Sequence, residues 1–119
     1  MMRNKESKNS ERPWGKYFIL DETSLYKIKR IEVDVKGRLS YQYHEKRSET
    51  WVVVNGNGIV TIEGITKKIG KGDTLTIPKK SKHRIENIGN EKLIFIEVQM
   101  GTYFGEDDIV RIEDDYNRV

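Results

Sequence analysis

The chain has 119 residues, a mean hydropathy of −0.74 and a formal charge of +3, from 22 Lys and Arg against 19 Asp and Glu. That length suits one domain, and the charge is too mild to mark a nucleic-acid binder. With no cysteine, disulfides, thiol catalysis and sulfur-held metal clusters are excluded.

No apolar run approaches the ~20 residues that span a bilayer, so no membrane partner is expected. Residues 1–12, MMRNKESKNSER, contain no apolar stretch of the kind a secretory signal needs. A cytoplasmic setting is the expectation. The charge is also uneven. Residues 106–119 carry six acids and two arginines, −4, which leaves +7 on the rest. An acidic tail of this kind is either solvated surface or the counterpart of an anion site in the body.

Residues 1–12 read as a flexible polar arm, and residues 13–119 as a single domain that begins at Pro13-Trp14-Gly15. The pattern from there is β. Tyr17–Leu20 is a short apolar run. Leu25–Val35 mixes apolar and charged residues, with Ile31, Val33 and Val35 on one face. Leu39–His44 follows a turn at Gly37. Thr50–Val54 is dense in β-branched and aromatic residues. Asn55-Gly56-Asn57-Gly58 is a turn signal, and Ile59–Glu63 returns from it as the second arm of a hairpin. Ile65–Ile69, Thr74–Ile77, His83–Ile85 and Leu93–Gln99 are further strands. Asp108–Tyr116 fits a strand or a helical turn. Eight to ten short strands at this spacing indicate an all-β sandwich or barrel, and a jelly-roll double-stranded β-helix suits the length.

The only histidines are His44 and His83. Gln42 and His44 are two apart and share a face of a strand. Glu49 opens the next strand and is expected to return beside them in an antiparallel hairpin. His83 opens another strand, five residues after Pro78. Two imidazoles, an amide and a carboxylate form a mixed nitrogen and oxygen set. Such a set suits one divalent metal ion: Zn first, with Mn, Co, Ni or Fe as alternatives.

The motifs carry the reading further. Gly37-x4-Gln42-x-His44-x4-Glu49-x6-Gly56 resembles the first cupin motif, and Gly72-x5-Pro78-x4-His83-x3-Asn87 resembles the second. Four more segments extend the likeness: Arg12-Pro13-Trp14-Gly15, Arg47-Ser48-Glu49-x-Trp51, Gly105-Glu106-Asp107-Asp108-Ile109-Val110-Arg111 and Tyr116-x-Arg118. Together they are similar to the C-terminal cupin of type II mannose-6-phosphate isomerases, where it follows a guanylyltransferase domain. The resemblance covers residues 12–118. It departs from the family at Lys46 and Thr50, which are often His, at Lys80 and Asn117, where Gly is common, and in having no nucleotidyltransferase domain, so guanylyl transfer is not expected.

The resemblance implies a cupin barrel that interconverts mannose 6-phosphate and fructose 6-phosphate through an enediol, with a phosphorylated sugar as partner. Gln42, His44, Glu49 and His83 would hold the metal. The phosphate needs cations, for which Arg47, Arg84, Lys29 and Arg38 are candidates; Arg47, between His44 and Glu49 in sequence, is the first choice as a site residue and is counted with the catalytic groups. The reaction also needs a base. Glu97 is the first candidate, because Ile94, Ile96 and Val98 take the opposite face of its strand; Glu86 is the second. Trp51 is expected to pack beneath the site, and Trp14 and Tyr17 to fasten the N-terminal segment. The Glu106–Asp108 cluster is expected to be structural. A homodimer is expected through edge strands or the arm. Two other functions fit the same pattern: a metal cupin acting on another sugar or nucleotide sugar, and a non-catalytic sugar-binding or oligomerising module.

Overall fold

The computed structural model describes residues 10–119. It contains β1 (Glu11–Arg12), β2 (Gly15–Glu22), β3 (Tyr26–Val33), β4 (Tyr41–Tyr43), β5 (Arg47–Asn55), β6 (Asn57–Ile62), β7 (Ile65–Gly70), β8 (Thr74–Ile77), β9 (His83–Asn87), β10 (Leu93–Gly101) and β11 (Val110–Glu113). One sheet has the order β1-β2-β3-β10-β5-β8 and the other β11-β4-β9-β6-β7, with every pairing antiparallel. No helix among the described residues is long and apolar enough to cross a membrane.

Three expectations need correction. Asn55-Gly56 is a turn but not a hairpin. β5 pairs with β10 and β8, whereas β6 pairs with β7 and β9 in the other sheet. Turn chemistry marks a change of direction; the strand's free edges decide its partner, and both edges of β5 are taken. Gly56 sits at this corner with φ +87°, where an added Cβ would lie 2.7 Å from the Lys92 carbonyl oxygen. In the same way β4 and β5 lie in different sheets, so Glu49 meets His44 across the interior and not along a hairpin. The third correction is small. The face shared by Ile31 and Val33 ends there, and Val35 is exposed, because the chain turns at Asp34–Gly37. The open segment, Asp108–Tyr116, supplies a strand, β11. The polar arm lies outside the described residues up to position 9; Glu11 and Arg12 pair with Lys16 and Gly15.

Side chains alternate across a strand, so one face of each strand lines the interior. Along β3 that face reads Val33, Ile31, Lys29, Lys27; along β5, Val53, Trp51, Glu49, Arg47; along β10, Leu93, Phe95, Glu97, Gln99. All twelve side chains are buried. These strands are neighbours, with Phe95 opposite Ile31 and Val53, and Glu97 opposite Lys29. Direct cross-strand partners share a face. The three strands therefore change from apolar to charged at one level of the barrel. The apolar end is closed by Trp14, Val33, Val53, Val60, Ile77, Ile85, Leu93 and Phe95, drawn from both sheets. Phe95 stacks on Trp51 with centroids 4.4 Å apart, and truncating such a buried aromatic to Ala costs about 3–5 kcal/mol. This closed end supports the charged end above it.

Candidate metal centre and its cavity

Backbone carbonyls orient both histidines. His44 Nδ1 lies 2.7 Å from the Asp108 carbonyl oxygen, and His83 Nδ1 lies 2.8 Å from that of Ser81. A carbonyl only accepts, so each Nδ1 carries the proton and each Nε2 presents a lone pair. His83 Nε2 is buried and has no hydrogen-bond partner among the described residues. Donor atoms of His44, Glu49 and His83 all lie within 4.8 Å of one another. Gln42 is the cross-strand partner of His83, so it shares that face, and it lines a cavity together with His44 and Glu49. Two neutral imidazoles, a carboxylate and a waiting lone pair fit a divalent metal. The protein thus has a candidate metal site in which the six-stranded sheet supplies Glu49 and the five-stranded sheet supplies His83 and, just past β4, His44.

The electrostatics agree with that use. Burial lowers His44 to about 4 against the opposing pull of Glu49, with Arg47 and His83 adding to the lowering. It is therefore a neutral donor near pH 7. Burial, the largest single influence, would raise Glu49, but Arg47, His44 and His83 together outweigh it and hold the carboxylate well below its usual range. Arg47 Nε donates to Glu49 Oε2 at 2.8 Å, and Nη2 lies 3.3 Å from His44 Nε2. Trp51 Nε1 donates to the other Glu49 oxygen at 3.0 Å. Glu49 is thus held from both sides.

Glu97 is the other carboxyl of the cavity. It is buried opposite Lys29 and accepts from Gln99 Nε2 at 2.7 Å. Burial, reinforced by the Glu49 charge, pushes it up to about 8, although Lys29 opposes the shift. Lys29 itself is lowered, chiefly by burial.

Residues 102–109 strap across this end. Glu106 takes Lys29 at 2.5 Å and Lys27 at 3.0 Å. The Asp108 carboxylate accepts from the backbone N–H of Glu45 and Lys46, each at 3.0 Å, while its carbonyl holds His44. The acidic cluster is therefore structural as expected, and it also orients a candidate ligand. Burial alone would raise the Glu106 carboxyl, but Lys29 and Lys27 together pull it down to about 2. A depressed carboxyl stabilises the fold above its ordinary value and loses that contribution as pH falls. Here the window runs from about 4.5 down to about 2. Glu106→Gln is expected to flatten the fall of the thermal midpoint across that window. Asp114, also lowered to about 2, keeps part of the slope. Melting curves at steps of pH check this.

The cavity has a volume of about 80 Å³ and is lined by Gln42, His44, Arg47, Glu49, Trp51, Lys29 and Glu97. Trp14 and Tyr17 also line it. Arg38, Arg84 and Glu86 do not. His83 faces inward on β9, so Arg84 and Glu86, one and three residues further on, face the other way. Arg84 donates to the Leu39 carbonyl at 3.1 Å and pairs with Glu113 at 3.6 Å. Arg38 forms a two-pronged pair with Asp115 at 2.8 and 2.6 Å. Four charged cavity residues escaped the sequence reading as site residues: Arg12, Glu106, Arg111 and Arg118. The arginines sit at the ends of the chain, among acids that made them look like tail surface.

Two of the family departures fall where glycine is common for a reason. Lys80 has φ +66° and Asn117 φ +59°, in the left-handed region that glycine adopts without cost. Asn tolerates that region better than most residues. The Lys80 N–H donates to the His44 carbonyl at 2.7 Å, so this turn also braces the site.

The family described as mannose-6-phosphate isomerase C-terminal matches residues 2–114. The chain belongs to this family. It is 47% identical over 108 residues to the mannose-1-phosphate guanylyltransferase ManC of Salmonella typhimurium, a match that covers 91% of this chain and 22% of that protein. The chain therefore spans under a quarter of that relative's length. Among solved structures, the capsular polysaccharide assembling protein CapF of Staphylococcus aureus superposes with a TM-score of 0.77 at 17% identity, over 96% of this chain and 35% of CapF. A Klebsiella pneumoniae protein with a double-stranded β-helix domain gives 0.72 at 20% identity, over 92% of this chain and 85% of its own. The fold of this family member is thus a cupin double-stranded β-helix.

Proposed function

We propose that the chain is a metal-dependent aldose–ketose isomerase of hexose 6-phosphates, interconverting mannose 6-phosphate and fructose 6-phosphate. The observation that carries this reading is Glu97, a buried carboxyl that shares one small cavity with Lys29, Arg47, His44 and Glu49, the last two of which cluster with His83. A structural module has no use for so many desolvated charges, which are costly to bury.

Gln42, His44, Glu49 and His83 would hold the ion, with Zn first and Mn, Co, Ni or Fe as alternatives. Bound there, a divalent metal supplies a Lewis acid for the oxygens on C1 and C2 of the open-chain sugar. The ionised form of Glu97, the minor form near pH 7, takes the proton from C2, breaking C2–H as the C1=C2 double bond of the enediol forms. The proton on O2 passes to O1, so that O1 ends as a hydroxyl and O2 is freed to form the carbonyl. Glu97 then returns its proton to C1, and the carbonyl reforms at C2. Lys29 and Arg47 offset the negative charge that develops on the enediol oxygens. Trp51 and the apolar end below it keep bulk water from this side of the cavity.

Fructose 6-phosphate formed from mannose 6-phosphate, followed through a coupled dehydrogenase with each metal supplied in turn, tests the reading. Turnover is expected. Binding of the sugar phosphate with no turnover under any of these metals would instead favour a sugar-binding module.

A further inference from the structure

Strand alternation leaves an outer face as well as an inner one. On the six-stranded sheet, β10 turns Ile94, Ile96, Val98 and Met100 outward, and β5 beside it turns out Val52 and Val54. The other outward positions of β5 and β8 are Ser, Thr or Asn, and the hydroxyls of Thr50 and Thr76 meet at 3.5 Å. No outward position on these three neighbouring strands is charged, in a chain that is 34% charged. The outer face of the other sheet differs, with Arg84 and Glu86 on β9 and Lys68 on β7. Val52, Val54 and Met100 are 38, 40 and 44% exposed. Apolar side chains gathered on one solvated face mark an interaction surface.

Ile28, opposite Val98, carries the apolar patch onto β3. Charge returns toward the two ends of the face, with opposite sign. At one end Arg30 and Lys92 pair with Glu32 at 3.1 and 3.5 Å, two cations on one carboxylate. At the other, Asp21 accepts from the Tyr26 hydroxyl at 2.7 Å and from the Glu22 N–H at 2.9 Å, both uncharged donors. An occupant must therefore be neutral in the middle and carry the same two signs in reverse order. Residues 1–9 do not match that description, since they carry Arg3, Lys5, Glu6 and Lys8 and no β-branched or aromatic residue. A second copy of the chain does. Five strands at about 4.8 Å and eight residues at about 3.4 Å make a face of roughly 650 Å². A pair of such faces buries about 1,300 Å², above the ~1,000 Å² that a specific interface needs.

We propose that the outer face of the six-stranded sheet docks a second copy of the chain, sheet on sheet, about a two-fold axis that lies between the sheets and runs across the strands. That axis lays the neutral middle on itself and the positive end of each copy on the negative end of the other. The patch is then self-complementary, as a two-fold interface requires. Stacked sheets with nearly aligned strands pack about 10 Å apart, and their side chains interdigitate. The contact is face to face, not through edge strands or the arm. β3, β5 and β10 carry Lys29, Glu49 and Glu97 on their inner sides, so docking stacks a second sheet behind the cavity wall. The interface stands whether or not the chain is an isomerase.

The test is light scattering and sedimentation of the full chain between about 1 and 100 μM, the range in which an interface of this size is expected to assemble. A dimer is expected, with a thermal midpoint that rises with protein concentration. Val52→Lys puts like charges into the middle of the face and is expected to weaken the dimer at least tenfold. Met100→Lys, at a more exposed position, is expected to act in the same direction, and it decides the matter if Val52→Lys does not fold. Lys68→Glu, on the outer face of the other sheet, is expected to leave the dimer intact. Dimer lost in the first two variants and kept in the third supports the interface. A folded Val52→Lys or Met100→Lys protein that dimerises as tightly as the unaltered chain would overturn it and point to the edge strands or the arm. An unaltered chain that stays monomeric up to about 100 μM would overturn it as well, and would give the face to a partner other than a second copy.

Discussion

Glu97→Gln is expected to lower kcat for mannose 6-phosphate isomerisation by about a thousandfold while leaving KM nearly unchanged. The substitution keeps the shape of the side chain and removes only its ability to take a proton. Glu97 meets the cavity from β10, flanked by Lys29 on β3 and Trp51 on β5. Its hydrogen-bond partner, the amide of Gln99, can re-pair with a glutamine oxygen, so the fold should tolerate the change. Steady-state kinetics on metal-loaded protein separate the cases. A loss confined to kcat marks the proton-transfer group. A loss mainly in KM would mean that Glu97 orients the sugar and that the base lies elsewhere.

The second large effect concerns the metal, and two variants should divide it. His83→Ala is expected to lower metal affinity more than ~100-fold, beyond the range typical of supporting residues around a metal, with little loss of stability. Its Nε2 has no partner among the described residues, and its removal strands no charge. Glu49→Ala should lose the metal as well, but at a further cost of about 3–5 kcal/mol in stability. The reason is Arg47, which is 6% exposed and would keep its buried charge without its carboxylate. Metal analysis together with denaturant unfolding of both variants checks the division. Equal destabilisation by the two would show that the Arg47–Glu49 pair is not what holds this wall of the cavity.

Much of this arrangement was legible in the chain. Period-two alternation marked the strands, and the Gln42–His44–Glu49 and His83 spacings marked the candidate metal set, of which the structure gathers His44, Glu49 and His83, because both signals are local. The inward turn of Glu97 followed from Ile94, Ile96 and Val98 on the opposite face. The same rule, extended back from Val33 and Ile31, puts Lys29 and Lys27 inside. What was not legible depends on contacts between distant segments. Asn55-Gly56 shows a turn, but which sheet receives the next strand is settled by the edges that β10 and β8 occupy. Arg38 and Arg84 look like Arg111 and Arg118 in composition. Only the pairing of β11 with β4 puts one pair into the cavity and leaves the other against the tail. The −4 tail is therefore neither idle surface nor a single acidic patch. Glu106 and Asp108 strap the site, Asp114 positions Arg118, and Asp115 draws Arg38 away.

The most direct measurement is turnover of mannose 6-phosphate against metal content per chain, starting from chelated protein and restoring the ion stepwise. Activity should be absent without metal, rise in proportion to it and level off at one ion per chain. Turnover that does not follow metal content, or a fully loaded chain with no turnover, would contradict a metal-dependent isomerase in this cavity.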